Sequence, residues 1–426
     1  MNIYIETYGC SANQNNSEII AGLLTRAGFI IVDNPNIADI YILNSCIVKG
    51  PTLQKMFSRI SILKSKKLIV AGCMPDVFSK QILKIAPDAS LVGSHNVNDI
   101  VNVAKSVMEG NQIFLISKQK EIHLCKPKNY RNRIIGITQI SEGCLGDCSY
   151  CIVKLVKGNL NSYPESDILK NIQLDLQTGC KEIWITSQDC AAYGLDKLNN
   201  KENIVSLLKK ILSIKSNFLV RLGMSNPNHI IPILQELIEI YKNKKMFKFL
   251  HIPLQSGSDR ILKLMNRRYT SDDFRTIVNS FRAEIPDMTF STDIIVGFPS
   301  ETDEDFEKTL EIVKQTKPDI VNISRYWPMP KTYAAQLSGL KQGIIMKRTK
   351  ELINLHNNIS LELNKRKIGS ILNVLVDEHK FDDVYIARTS DYKQVILKSD
   401  EKILGKFIDA KITGASNHYL IGELSK

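Results

Sequence analysis

The 426 residues contain no apolar stretch of 18 or more, which excludes a conventional membrane-spanning helix. The start, MNIYIETYGC, lacks the basic-then-apolar profile of a secretory leader, so a full-length cytoplasmic protein is expected. No internal repeat and no low-complexity tract occurs, and with 7% aromatics and a mean hydropathy of −0.10 a disordered or collagen-like chain is excluded. Acids are in short supply: 44 Asp and Glu face 56 Lys and Arg, a net charge of +12 that suits a polyanionic partner. An even cysteine count is also missing. Nine cysteines without a leader are poor material for disulfides and better material for metal ligation or thiol chemistry. What is present is an ordinary globular composition, 43% hydrophobic and 23% charged, long enough for roughly three domains of about 150 residues.

The first segment reads as α/β. Strands are expected at Ile3-Tyr4-Ile5, Ala38–Leu43 and Lys67–Ala71, with a helix opening at Asn16-Ser17-Glu18 and running through Ile19, Ile20, Leu23 and Leu24. Strands alternating with helices make a mostly parallel sheet, where ligands collect beyond the strands' carboxyl ends. Cys10, Cys46 and Cys73 each follow one of these strands by a few residues. One such thiol would be a small buried hydrophobe; three after three successive strands favour a metal site over that reading by about 2:1.

A basic stretch from Lys118 to Arg133 reads as a linker. Beyond it, strands are expected at Ile134–Ile140, Glu182–Ile185, Phe218–Leu222, Phe249–Ile252, Thr289–Ile295 and Ile320–Ile323, with amphipathic helices between them. That pattern makes a partial or full parallel barrel with its chemistry at the strand C-termini. A long charged helix, Lys347–Lys367, leads into a tail that alternates apolar and polar residues between glycines, the pattern of a small antiparallel β-barrel.

Just after the first barrel strand, SEGCLGDCSYC places Cys144, Cys148 and Cys151 at C-x3-C-x2-C. A structural zinc site wants four ligands, and no fourth Cys or His follows closely. Three thiolates on a 4Fe–4S cluster leave one iron open for a substrate. A three-cysteine catalytic zinc and incidental loop thiols are the competing readings.

This motif in this position resembles the radical S-adenosylmethionine (SAM) superfamily. Gly9-Cys10, Asn44-Ser45-Cys46 and Gly72-Cys73-Met74-Pro75 ahead of it, and a β-rich tail behind, extend the resemblance to the methylthiotransferases over nearly the whole chain. The tail resembles a TRAM domain, an RNA-binding barrel, through Arg388-Thr389-Ser390-Asp391-Tyr392. Asn44–Lys49, Gly158–Pro164, Thr186-Ser187-Gln188-Asp189, Arg221–Pro227, His251–Asp259 and Thr292–Pro299 resemble the archaeal and eukaryotic branch acting on threonylcarbamoyladenosine in tRNA. Asn16, Gln188, Cys190 and Met329-Pro330-Lys331-Thr332 depart from the family pattern.

The resemblance implies three units: an N-terminal domain over 1–118, a radical-SAM domain over 119–364 and a TRAM-like domain over 365–426. It implies that Cys144, Cys148 and Cys151 hold a 4Fe–4S cluster whose open iron chelates SAM and, given one electron, releases a 5′-deoxyadenosyl radical. Cys10, Cys46 and Cys73 inherit a second 4Fe–4S cluster that carries or donates sulfur. The implied reaction is methylthiolation of C2 of N6-threonylcarbamoyladenosine at position 37, in the tRNA anticodon loop, using two SAM molecules and an external electron donor. That C–H is too weakly acidic for acid–base chemistry, so a carbon radical is required. Isopentenyladenosine in tRNA, an aspartate of a ribosomal protein, and a non-catalytic RNA-binding redox sensor are the alternatives. A monomer without membrane attachment is expected.

Further candidates lie at the strand ends. Ser187 and Gln188 stand where the SAM amino group is commonly met, or in an ordinary turn. Arg221 is a partner for the SAM carboxylate or for a neighbouring acid. Gln255 is suited to SAM or adenine by its donor and acceptor, or to capping the helix that starts near Ser258. Gly297 allows close approach of backbone to a ligand, or makes a tight turn. Thr302 with Asp305 reads as a capping box, and Glu301 and Asp303 as helix-start acids. Cys125, Cys180 and Cys190 have no assigned role. Basic charge concentrates at Lys49–Lys67, which has six basic residues and no acid, and at 118–160, with eight basic and three acidic residues. Either stretch would neutralise phosphates in a salt-dependent, sequence-independent way, or is a solvated face. The tail from Lys365, with eleven basic and nine acidic residues, carries no such signature.

Overall fold

The computed structural model describes residues 1–47, 50–117, 121–197 and 202–425. Val48 and Lys49 of the Asn44–Lys49 string, and Lys118 and Lys120 of the basic linker, lie outside the described residues. Among the described residues no helix is long and apolar enough to cross a membrane.

The N-terminal sheet is parallel throughout, in the order β2-β1-β3-β4-β5-β6. Its strands are β1 (Asn2–Thr7), β2 (Ile30–Ile31), β3 (Ile40–Ser45), β4 (Leu68–Gly72), β5 (Ser90–Gly93) and β6 (Phe114–Leu115). The expected strands are β1, β3 and β4, and β2, β5 and β6 are additions too short for alternation to show. Successive residues of β3 and β4 are all buried because helices cover both faces. Ile40, Ile42 and Ile69 pack on α1 (Ser11–Arg26), opposite the face where Tyr41, Leu43 and Val70 meet α2 (Gly50–Leu63) and α3 (Pro75–Ile85). Helix α4 (Ile100–Met108) completes the α1 layer through Ile100, Val103 and Val107. β1, β3 and β4 are neighbours, so the turns that follow them meet at one rim.

Six parallel strands form the central unit: β7 (Ile135–Gln139), β10 (Glu182–Thr186), β11 (Leu219–Leu222), β12 (Phe249–His251), β13 (Thr289–Val296) and β14 (Ile320–Arg325). Each matches its expected span to within a few residues. A parallel bridge from Val220 to Met246 joins the two three-stranded halves into a partial barrel. Among the described residues no pairing links β14 back to β7. Helix α1 packs beside β7 and the long α13 (Gln342–Lys365) beside β14. The short hairpin β8 (Ser141–Glu142) and β9 (Asn161–Ser162) brackets the C-x3-C-x2-C loop, which also holds α5 (Val153–Lys157). Helices α6 (Glu165–Gln177), α7 (Ile204–Leu212), α8 (Pro227–Ile230), α9 (Leu234–Tyr241), α10 (Asp259–Leu264), α11 (Ser271–Glu284) and α12 (Asp303–Thr316) complete the unit. The Thr302–Asp305 capping box forms as expected.

The tail closes into a five-stranded barrel, β15 (Ile371–Phe381), β16 (Val384–Thr389), β17 (Gln394–Lys398), β19 (Leu420–Leu424) and β18 (Phe407–Ala415) in spatial order. It docks at the N-terminal ends of the central strands. The Asn132 side chain donates to the Asp377 carbonyl at 2.8 Å just before β7, and the Lys248 N–H donates to the Ser390 carbonyl at 2.8 Å just before β12. The Arg388–Tyr392 string is this docking turn: Tyr392, at φ +66°, enters the barrel bottom against Phe247 and Phe249. The opposite end, where the cysteines lie, stays clear of the tail.

Candidate active site

Three thiols meet at the rim of the N-terminal sheet. Cys46 and Cys73 follow β3 and β4 directly and are buried, while the exposed Cys10 precedes α1 as its N-cap. Polar bonds tie the strand ends together. The Asn13 side chain donates to the Tyr8 and Ser45 carbonyls at 2.9 Å each, Asn44 donates to the Asn13 carbonyl at 2.8 Å, and the Cys73 N–H donates to the Ser45 carbonyl at 3.2 Å. Gly9, at φ +119°, lies so close that a Cβ on it would sit 2.8 Å from Cβ and 3.0 Å from Sγ of Cys46. Burial pushes the Cys73 thiol up to about 12. Such a thiol yields its proton only to a cation that binds it.

The second triad lies in the loop after β7. The Cys151 N–H donates to the Cys148 carbonyl at 3.1 Å, winding the loop into a turn. Two donors face its sulfurs: the Gly146 N–H reaches Cys144 Sγ at 3.2 Å and Arg267 Nη1 reaches Cys148 Sγ at 3.1 Å. Both would stabilise thiolates. A Cβ at Gly146 would stand 3.4 and 3.7 Å from the Cys144 and Cys148 sulfurs, so glycine keeps that face of the triad open. Burial raises Cys144, and takes Cys151 up to about 11.

Among the described residues no group of three His, Cys, Asp or Glu closes to the distance of a single ion. Three thiols with no fourth ligand suit an iron–sulfur group with one open position.

Contacts link the elements that carry the two triads. Ser11, next to Cys10, bonds through Oγ to Thr186 Oγ1 at 2.8 Å, at the rim of β10. Two residues on, Gln188 Oε1 accepts the Gly143 N–H at 2.7 Å and so holds the residue before Cys144. From the loop's other end, Ile152 and Val156 of α5 join the core that contains Cys73 and Met74.

The remaining sequence candidates divide. Gln255 is at the rim with left-handed backbone, φ +64°, and its buried Oε1 has no partner, so it does not cap α10 and presents a free acceptor. Ser187 does form the ordinary turn, accepting the Asp189 N–H at 3.1 Å. Gly297 is a matter of packing. At φ +78°, its Cβ would strike Ile345 Cγ1 of α13 at 2.5 Å, so what approaches is a helix and not a ligand. Arg221 is not at the cysteine rim. It pairs in register with Trp184, two residues below Thr186, and its guanidinium is caged by Trp184, Phe249 and Tyr392 at 5.0–5.2 Å. It faces the tail, away from the place of a SAM carboxylate, with the buried acid Glu182 as a charged neighbour. Cys180 and Cys190 are buried in the central core, and Cys125 lies beside the Asp167 carbonyl.

Of the polar residues that meet at this rim, Arg267 and His229 lie outside every quoted string, while Asp189, Asn226, His251 and Asp293 lie within them and had no role assigned. Arg267 also bonds Asn226, which donates to Asp189 at 2.6 Å, and Asp189 in turn meets His229 at 2.7 Å. His251 and Asp293 meet at 2.8 Å on the neighbouring strands. Only the fold joins these positions, which are scattered over more than a hundred residues.

Family models match in three consecutive stretches: the uncharacterized protein family UPF0004 over residues 2–93, the radical SAM superfamily over 138–313 and the TRAM domain over 365–425. A probable threonylcarbamoyladenosine tRNA methylthiotransferase of Pyrococcus horikoshii is 37% identical over 99% of both chains, and that of Archaeoglobus fulgidus is 40% identical over 100% of this chain and 99% of its own. The human threonylcarbamoyladenosine tRNA methylthiotransferase is 35% identical over 99% of this chain and 73% of its own.

The chain belongs to the threonylcarbamoyladenosine tRNA methylthiotransferase family.

A radical S-adenosylmethionine methyltransferase of Kitasatospora setae, solved with cobalamin and a [4Fe-4S] cluster, shares the fold at TM-score 0.57 and 11% identity, covering 87% of this chain and 80% of that one. Radical-SAM enzymes of the methylthiotransferase family use 4Fe–4S clusters and SAM.

Proposed function

We propose that the chain converts N6-threonylcarbamoyladenosine at position 37, in the anticodon loop of tRNA, to its 2-methylthio derivative. The observation that carries this is the pair of three-cysteine sets, one at the rim of the N-terminal sheet and one in the loop after β7, on elements that contact one another. Cys144, Cys148 and Cys151 hold the radical-generating cluster, and Cys10, Cys46 and Cys73 the auxiliary one. When bound, these clusters supply the electron that cleaves SAM and the sulfur that is inserted.

The chain's own part is positioning and shielding. Arg267 and the Gly146 N–H hold negative charge on the Cys148 and Cys144 sulfurs. Gln188 fixes the loop at Gly143, and Gln255 offers an acceptor to SAM. Tyr150 and Phe298, ring to ring at 6.3 Å, dry the flank of the cysteine loop. The division into 1–118, 119–364 and 365–426, a monomeric state, a cytoplasmic location and an external electron donor belong to the same reading.

Mass spectrometry of tRNA nucleosides from a deletion strain tests it. Loss of 2-methylthio-threonylcarbamoyladenosine is expected, and an unchanged level overturns the proposal. Reduced, reconstituted protein is expected to form 5′-deoxyadenosine from SAM, and the Cys148→Ala variant is expected not to.

A further inference from the structure

Three buried polar groups between the triads have no part in the chemistry so far. Lys157 ends α5, six residues after Cys151, and its Nζ donates to Glu142 Oε1 at 2.6 Å. Glu142 stands two residues before Cys144, so this pair staples the two ends of the cysteine loop. The other carboxylate oxygen meets His95 Nδ1 at 3.0 Å, and His95 Nε2 meets the Val156 carbonyl at 3.1 Å. All three side chains are at least 94% buried. His95 comes from the N-terminal unit, so the cluster of charges spans the junction of the two cysteine-bearing units.

A buried ion pair of this kind is weak evidence for stability, because apolar residues of similar volume would hold the junction as well. The arrangement places a fixed cation where it acts on something else. Helix α5 packs against α3 and into the core containing Cys73, two residues before α3 begins, and attraction to the cysteine side adds to that of Glu142 in holding Lys157 charged. The other groups around it are Asp76, His95 and His123 of the N-terminal unit and linker.

We infer that Lys157 is the positioning cation of the auxiliary site: its buried ammonium beside Cys73 stabilises the more negative, reduced form of an iron–sulfur group held by Cys10, Cys46 and Cys73. This rests on the reading of those cysteines as an iron–sulfur site. The step is a one-electron reduction in which the electron comes from an added reductant, no bond is made or broken, and Lys157 keeps its proton. A fixed positive charge in a dry site favours the added electron, as charge and hydrogen bonding near such groups generally do.

The test uses the full chain carrying Cys144→Ala, Cys148→Ala and Cys151→Ala, so that only the auxiliary site loads, with anaerobic dithionite titration followed by electron paramagnetic resonance. Adding Lys157→Met is expected to lower the reduced-to-oxidised ratio at a given potential by about tenfold or more, with iron and sulfide content maintained. Lys157→Arg is expected to stay within about threefold of the parent. A loaded Lys157→Met chain whose midpoint matches the parent overturns the proposal. Because Lys157→Met leaves Glu142 buried without its partner, Glu142→Gln with Lys157→Met is the companion variant. It is expected to load iron and to show a smaller shift of the same sign, because the negative charge of Glu142 leaves with the cation, and failure of this pair to load overturns a role in potential in favour of one in assembly. A parent that loads no iron removes the auxiliary-site reading itself, an outcome distinct from a loaded site indifferent to Lys157.

Discussion

Gly9 has no room for a methyl group, and the atoms in the way are those of Cys46 and the Asn13 amide that ties the strand ends together. Its φ of +119° adds backbone strain for any other residue. Gly9→Ala is therefore expected to displace the auxiliary triad and leave the second one intact. After anaerobic reconstitution, iron and sulfide would each fall from about eight to about four per chain. Undiminished iron would show that the Cys46 loop gives way at no cost. The six cysteines are legible in the sequence because each follows a strand or sits in a short fixed spacing. Arg267 is not, since it reaches Cys148 across 119 residues and follows a six-residue helix with little pattern of its own. Gly297 is legible as a special glycine, but its reason, Ile345, lies 48 residues downstream on another element.

At the scale of the element, α13 owes its seat to that glycine. Gly297→Ala is expected to destabilise the fold by about 1–3 kcal/mol, seen as a lower urea midpoint. Ile345→Ala in the same chain should restore only part of it, because it relieves the clash and leaves the positive φ. Full restoration would mean that strain contributes nothing there. Thr302→Ala removes one half of the α12 capping box and is expected to cost about 1 kcal/mol by the same measurement. Strand positions of the central barrel are legible because buried parallel strands are unbroken apolar runs between amphipathic helices. Helix α13 begins at Gln342, five residues before the expected Lys347, because Gly343 and the exposed Ile344 and Met346 blur its apolar stripe. The two-residue strands β2 and β6 carry no period at all.

Across the whole molecule, the junction of barrel and tail holds a buried acid pair. Glu182, the first residue of β10, and Asp377 of β15 lie close enough to repel, with Arg388 and Arg221 alongside. Burial first and Asp377 second push the Glu182 carboxyl up to about 7. A raised folded-state value means stability that is full below the unfolded value, about 4.3, and lost as pH rises through 7. Wild-type stability should therefore fall between pH 5 and 8 through this group, and Glu182→Gln should flatten that slope and raise the urea midpoint at pH 8. An unchanged slope would assign the pH dependence elsewhere. Nothing in the sequence joins residue 182 to residue 377. The Arg388–Tyr392 string marks the family by resemblance, but only the packed structure shows that it is the turn by which the tail enters the barrel.

The adjacency of β1, β3 and β4 also orders events during synthesis. All three auxiliary thiols lie within the first 73 residues, after strands that pair with one another. The Cys144–Cys151 loop arrives afterwards, and Lys157 after that. A nascent chain thus completes its N-terminal ligand set before the second exists, so whatever delivers iron and sulfide meets the two sites in sequence. For a stretch of about 80 residues of translation the first site has to persist without its buried cation, open on the side that α5 later covers.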